Sequence, residues 1–313
     1  MRDAKNPAEN TGSILITGAS GQVGGELVRL LASLGTIHAP TRAELDLADP
    51  ASIRRAVQTL RPRWIVNPAA YTAVDRAESD REAAFAINAT APGILGEEAA
   101  RINAAVLHFS TDYVFSGDGT NPYRESDPTG PLGVYGASKL AGEQALAASG
   151  AAHIILRTSW VYGTTGRNFL LTILRLARER ESLTVVNDQH GAPTWSRDLA
   201  RLAAIILTQA PDAEAARRFQ GTYHATAQGE VTWFGFAQEA LRLSRRSGLD
   251  TRFARLTPVT TRDYPTPARR PSNSRLDCTL LASTFAYSLP PWQQSLASVM
   301  EELFAASPAA PAA

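Results

Sequence analysis

Three glycines set close together constrain this chain more than any other feature. The segment Gly18-Ala-Ser-Gly21-Gln-Val-Gly24 follows a short β-branched run, Ser13 to Thr17, and precedes apolar residues at Val23, Leu27, Leu30, Leu31 and Leu34. That spacing predicts a strand, a tight turn and an amphipathic helix. Such a turn gathers backbone N–H groups and a helix N-terminus at one point, which suits a diphosphate, and its last glycine lets helix and strand pack closely. Gly18, Gly21 and Gly24 are therefore the first candidate cofactor-binding residues.

The alternation continues. Thr36 to Ala39 reads as a second strand, Asp49 and Pro50 as the cap and first residue of a helix with Ile53, Val57 and Leu60 on one face, and Trp64 to Asn67 as a third strand. Ala105 to Ser110 and His153 to Thr158 read as further strands. Strands separated by helices imply an α/β fold, a doubly wound parallel sheet of Rossmann type with helices on both faces. Helices are expected at Phe169 to Arg180, Arg197 to Thr208, Thr232 to Ser247 and Trp292 to Phe304. The predicted organisation is a disordered leader over 1–12 and a dinucleotide-binding domain over 13–165 with returning segments near 196–225. A smaller substrate-binding lobe takes 166–195 and 226–305, followed by a tail over 306–313.

Composition narrows the partners. Of 313 residues, 44% are hydrophobic, enough for a sizeable core. Lys plus Arg number 31 against 30 for Asp plus Glu, a balance that argues against a nucleic-acid binder. No run approaches a membrane span. The single cysteine, Cys278, cannot form an intrachain disulfide, which favours a reducing, cytoplasmic setting.

An NAD site usually carries an acidic residue after the second strand. Here the stretch reads Pro40-Thr41-Arg42, and a guanidinium suits a 2′-phosphate. NADPH is the expected cofactor; Glu44 keeps NADH as the alternative. Further on, Tyr135 and Lys139 stand four apart at the start of a helix, so they share a face. A nearby ammonium lowers a phenol's pKa and fits it for proton transfer. Thr111, at the end of the Ala105 to Ser110 strand, lies at the carboxyl edge of the sheet, where a hydroxyl can polarise a substrate carbonyl. Trp160, after the His153 to Thr158 strand, could stack on a sugar or pack in the core.

These motifs resemble the extended short-chain dehydrogenase/reductase superfamily and, within it, the dTDP-4-dehydrorhamnose reductase family. The resemblance is carried by Thr17-Gly-Ala-Ser-Gly-Gln-Val-Gly24, Asn67-Pro-Ala-Ala-Tyr-Thr-Ala-Val-Asp75, Ser110-Thr-Asp-Tyr-Val-Phe115, Val134-Tyr-Gly-Ala-Ser-Lys-Leu-Ala-Gly-Glu143, Arg157-Thr-Ser-Trp-Val-Tyr162, Asn187-Asp-Gln-His-Gly-Ala-Pro-Thr194 and Tyr264-Pro-Thr-Pro-Ala-Arg-Arg-Pro271 with Asn273-Ser-Arg-Leu276. It implies that Tyr135, Lys139 and Thr111 are catalytic. It also implies that Gly21, Gln22 and Val23 bind the diphosphate, that Asp46 and Leu47 lie at the adenine, and that Ala70, Tyr71, Thr72 and Phe109 follow the dinucleotide. Thr111, Asp112 and Trp160 would contact the substrate. Two positions depart from the family pattern: Pro68, where alanine is usual, and Gly133, where asparagine often stands.

The implied reaction is NADPH-dependent reduction of the C4 ketone of dTDP-4-dehydro-β-L-rhamnose, a nucleotide sugar. Reduction of another nucleotide 4-keto-6-deoxy sugar is the nearest alternative. A dehydratase would place Asp-Glu after the threonine, whereas here Asp112 is followed by Tyr113. A non-catalytic regulator resembling the methionine adenosyltransferase beta subunit stays open as another class. Arg262, Arg269, Arg270 and Arg275 supply cations suited to a substrate diphosphate. Some members dimerise around Mg²⁺ held by glutamates. The matching positions are Glu26, Glu302 and Arg197, and a guanidinium offers no lone pair. The expectation is no metal, and a monomer or metal-independent dimer.

Overall fold

The computed structural model describes residues 12–246 and 253–305. The expected tail, Ser247 and all of the expected leader except Gly12 lie outside the described residues. Six strands form the central sheet: β1 (Ile14–Ile16), β2 (Ile37–His38), β3 (Trp64–Asn67), β4 (Ala105–Thr111), β5 (Ala152–Thr158) and β6 (Gly221–His224). They are all parallel and run β2-β1-β3-β4-β5-β6 across the sheet. The chain reverses direction across the sheet between β1 and β3, so their carboxyl ends open a crevice at a topological switch point.

The principal helices are α1 (Gln22–Leu31), α2 (Pro50–Leu60), α3 (Ala91–Ile102), α4 (Val134–Ala148), α5 (Phe169–Glu179), α6 (Ser196–Gln209), α7 (Trp233–Arg246) and α8 (Trp292–Ala305). The strand period of two sorts the sheet's side chains between its faces. Ile14, Ile16, Trp64, Leu107 and Ile154 meet Leu27 and Leu31 of α1 and Leu199, Leu202 and Ile206 of α6. On the other face, Leu15, Ile65, Val106 and Ile155 meet Ile53 and Val57 of α2, Leu95 of α3 and Leu146 of α4. β4 and β5 are buried at every position, as strands covered on both faces must be. Asp49 caps α2 by accepting from the Ala51 backbone N at 2.9 Å, with Pro50 in the first turn.

A separate core joins Leu170 and Leu174 of α5, Phe236 and Ala240 of α7, and Leu296 and Val299 of α8 to Tyr162 and Trp195. Beside it, Ser182–Val186 and Arg255–Val259 pair as parallel strands. The segment 226–305, read from sequence as wholly part of the second lobe, includes a stretch that returns to the sheet. Leu281, Phe285 and Leu289 pack into the first core.

Arg197 ties the ends of the fold together. Its Nε and Nη2 donate to Glu26 of α1 at 3.0–3.1 Å, Nη2 donates to Glu302 of α8 at 2.9 Å, and Nη1 donates to Glu302 Oε1. Burial pushes the Glu26 carboxyl up, but hydrogen bonds from Arg197 and Arg29 outweigh it and hold it below its ordinary value. The guanidinium supplies between these carboxylates the positive charge that a divalent cation would bring. Light scattering is expected to give one mass with or without millimolar Mg²⁺, and EDTA should leave activity unchanged. A magnesium-dependent doubling of mass would contradict this.

Candidate active site

The glycine loop opens the crevice. A Cβ on Gly24 would lie 2.1 Å from the Gly18 carbonyl oxygen, so only glycine lets α1 start this close to β1. Gln22 and Val23 begin the helix, and Gln22 Oε1 accepts from Asn168 Nδ2 at 2.9 Å, linking the loop to the N-terminus of α5.

Beyond β2, the Glu44 carboxylate accepts from the Thr41 backbone N at 2.8 Å and from Thr41 Oγ1 at 2.9 Å. The backbone bond holds its carboxyl below the ordinary range. Glu44 is thus committed to its own turn. Arg42 is 81% exposed, with Nε 3.9 Å from Asp46 Oδ1. Asp46 also accepts from the Ala48 backbone N, and the half-buried Leu47 lies between them.

Ala70, Tyr71 and Thr72 follow β3 across the crevice. Asn88 grips this loop: its Oδ1 accepts from Tyr71 N at 2.8 Å, while its Nδ2 donates to the Tyr71 carbonyl at 3.1 Å and to Ser138 Oγ at 3.0 Å. Asn88 lies in a π-helical turn, Ala86–Thr90, a local distortion common at functional sites. Nothing in the local sequence pattern marked it. The Tyr71 hydroxyl donates to Asp80.

Thr111 and Asp112 sit where β4 ends in a turn. Thr111 Oγ1 donates to Asp112 Oδ1 at 2.9 Å and accepts from Tyr113 N at 3.2 Å. Tyr135 faces them from α4, its ring edge-on to Tyr113 with centroids 5.5 Å apart. Gly136 makes this approach feasible, since a Cβ there would lie 2.1 Å from the Tyr113 carbonyl oxygen. The departure at Gly133 has a local cause. The Glu78 carboxylate accepts from Val134 N at 2.9 Å and occupies the space a Cβ on residue 133 would need, capping α4 from another element.

One electrostatic expectation is corrected. Tyr135 is pushed above its ordinary phenol value by burial, and Asp112 and Tyr113 add to the rise. The Lys139 ammonium, expected to lower it, is turned inward: Nζ donates to the Phe109 carbonyl at 2.6 Å and lies 3.3 Å from His108 Nε2. Burial lowers Lys139 to about 8, with Glu143 opposing.

Burial raises Asp112 to about 6, against hydrogen bonds from Ser274 and Thr111. A carboxyl raised in the folded state favours folding at low pH, and that contribution is lost as pH rises from the unfolded value of 3.8 through 6. Asp112→Asn should therefore gain on the order of 2 kcal/mol at pH 8 and distinctly less at pH 5, read by denaturant unfolding. An equal gain at both pH values would show that Asp112 ionises without cost.

Trp160 adopts φ +49°, a left-handed conformation that is strained for so large a residue. Its ring stacks on Trp233 with centroids 3.6 Å apart. Trp233 in turn lines a cavity of about 490 Å³ with Phe169, Gln189, Tyr264 and Arg270. The four arginines named from sequence do not converge. Arg270 lines this cavity and donates to Asp75 at 2.8 Å, whereas Arg275 is held by Glu230, Asn273 and the Thr120 carbonyl. Arg262 and Arg269 are exposed.

Among the described residues no helix is long and apolar enough to cross a membrane, and no cluster of His, Cys, Asp and Glu could hold a metal ion. Comparison with known proteins agrees with the fold and the motifs. The family model described as the RmlD substrate binding domain matches residues 12–305. The chain is 46% identical to the dTDP-4-dehydrorhamnose reductase of Escherichia coli K12, over 93% of this chain and 98% of that relative. With the Burkholderia thailandensis protein of the same name the identity is 45%, over the same shares. Solved structures of dTDP-4-dehydrorhamnose reductases from Clostridium acetobutylicum and, in complex with NADP, Bacillus anthracis superpose with TM-scores of 0.86 and 0.84 at 35% and 33% identity. Each match covers 93% of this chain and 99% of the other. The chain belongs to the RmlD substrate-binding-domain family.

Proposed function

We propose that this protein reduces the C4 ketone of dTDP-4-dehydro-β-L-rhamnose to dTDP-L-rhamnose, using NADPH. The observation that carries this reading is the hydrogen bond between Thr111 and Tyr135 at the carboxyl edge of the sheet, with Lys139 one turn further along the same helix and a glycine loop at the switch point. The family and its NADP-bound structural relative support the cofactor and the substrate class.

The glycine loop at the N-terminus of α1 and the exposed Arg42 fit a phosphorylated dinucleotide. The nicotinamide, when bound, supplies the hydride. The protein's part is to position the ketone and deliver a proton. Burial keeps the Tyr135 phenol protonated, so it can donate to the alkoxide oxygen as that charge develops. Thr111 would orient the same oxygen, and Lys139 would hold the cofactor ribose. The aromatic cavity beside Trp160 would take the nucleotide end, with Arg180 and Arg270 in its lining as cations for the diphosphate. We also assign the second core around α5, α7 and α8 to substrate binding and the sheet to the dinucleotide.

Incubation of purified protein with dTDP-4-dehydrorhamnose and either NADPH or NADH, followed by nicotinamide absorbance, tests the reading. Turnover faster with NADPH is expected; failure to oxidise either cofactor would overturn it. Arg42→Ala should weaken NADPH by about 1–3 kcal/mol and leave NADH nearly unchanged. Equal losses for both would remove Arg42 from phosphate recognition.

A further inference from the structure

Behind the site, four side chains form a row of hydrogen bonds across the carboxyl ends of the strands. Thr17 follows β1, Asn67 ends β3, His108 lies in β4 and Lys139 in α4. Thr17 Oγ1 donates to Asn67 Oδ1 at 2.5 Å, Asn67 Nδ2 lies 3.0 Å from His108 Nδ1, and His108 Nε2 lies 3.3 Å from Lys139 Nζ. None is more than 2% exposed, so solvent cannot substitute for a missing partner.

Counting donors and acceptors restricts the row to two arrangements. A neutral imidazole carries one N–H and one lone pair. His108 is held neutral, well below its ordinary value, by burial and by the Lys139 charge. When the Asn67 amide N–H points at Nδ1, the proton is on Nε2, which can donate only to an uncharged Lys139 amine. When the Asn67 amide is turned over, its oxygen accepts from Nδ1–H, Nε2 offers its lone pair to the Lys139 ammonium, and the amide N–H turns to the Thr17 oxygen. The first arrangement sets donor against donor in a dry interior once Lys139 is an ammonium, whereas the second suits that charge.

We propose that His108, oriented through Asn67 and Thr17, is the positioning residue for Lys139 Nζ, and that this row reverses its hydrogen-bond polarity as Lys139 gains or loses its proton. The inference rests on the reading of Lys139 as the partner of Tyr135. The other charges facing this end are already engaged. Glu143, one turn along α4, is paired with Arg157 of β5 and accepts from Ser110 of β4, while Asp112 and Tyr135 face one another at the pocket. Lysine is also rare here. The chain has two, Lys5 and Lys139, against 29 arginines. An arginine at 139 would keep its charge throughout and could not take part in a reversal.

Full-length protein carrying ¹³C at lysine Cε and ¹⁵N in its histidine rings tests this directly. Its two lysines give separate signals, and Lys139→Met assigns them. Lys139 should titrate well below the ordinary lysine value of about 10.4. Over the same pH range the His108 Nε2 signal should change from N–H to lone-pair character. A His108 ring whose nitrogens stay constant through the Lys139 titration overturns the reversal. In His108→Phe the ammonium loses an acceptor, so Lys139 should titrate about one unit lower, and kcat should fall about tenfold with KM for NADPH changed less than about threefold. His108→Gln, which keeps an acceptor on a longer side chain, should recover most of kcat. A Lys139 titration that is unmoved or raised in His108→Phe overturns the positioning role. Should that variant fail to fold, the wild-type titration still decides. Activity surviving in Lys139→Met would instead refute the catalytic reading of Lys139, leaving the nuclear measurement intact.

Discussion

Tyr135→Phe should turn over about 10²-fold more slowly, or slower still, with NADPH affinity nearly unchanged. The substitution removes the proposed proton donor and keeps the ring that packs edge-on against Tyr113. Its effect should appear in kcat and kcat/KM alike, the signature of an interaction made in the transition state. Steady-state kinetics with a parallel cofactor titration check this. A variant keeping more than about a tenth of wild-type kcat would take Tyr135 out of the mechanism.

Glu143→Ala should cost about 3–5 kcal/mol of stability. Glu143 and Arg157 are 6% and 7% exposed, joined by bonds of 2.7–3.2 Å, and Ser110 donates to the same carboxylate. Removing the carboxylate strands the guanidinium between α4 and β5, where Nη1 already has no partner and the Phe115 ring is its other neighbour. The paired change Glu143→Leu with Arg157→Met should recover most of the loss, because an apolar pair carries no desolvation penalty. Denaturant unfolding of the three variants measures it. A loss below about 1 kcal/mol in Glu143→Ala would mean that water reaches the arginine.

What was legible in the sequence was local. The glycine loop, the Asp49 cap with Pro50, the Tyr135 and Lys139 spacing, and the threonine at the end of β4 each announce themselves within a few residues, where propensity and periodicity act. What was not legible depends on partners brought together by the sheet. Asn88 meets Tyr71 and Ser138, Glu78 caps α4, and Asn67 meets His108, each across a long stretch of chain. No pattern at either end marks such a pair. The same limit explains the arginines. Arg270 and Arg275 look alike in the sequence, but one faces the aromatic cavity and the other is clamped by Asn273 and Glu230. Arg42 and Glu44 stand two residues apart in the sequence, and only the fold shows that Thr41 engages the glutamate. The fall anticipated for Tyr135 failed because the sequence gives the spacing of the lysine but not the direction of its ammonium.

The clasp of Glu26, Arg197 and Glu302 has a consequence for how the chain is made. The glycine loop and its helix leave the ribosome first, yet the carboxylate on that helix finds its full setting only when the last helix arrives. The sheet likewise waits for β6, and its first core for Leu289. At ~5–20 residues per second, the early strands spend many seconds with an open edge and bare apolar faces. Synthesis stalled before residue 289 should therefore yield a protease-sensitive, chaperone-bound chain even though every residue of the dinucleotide loop is already present.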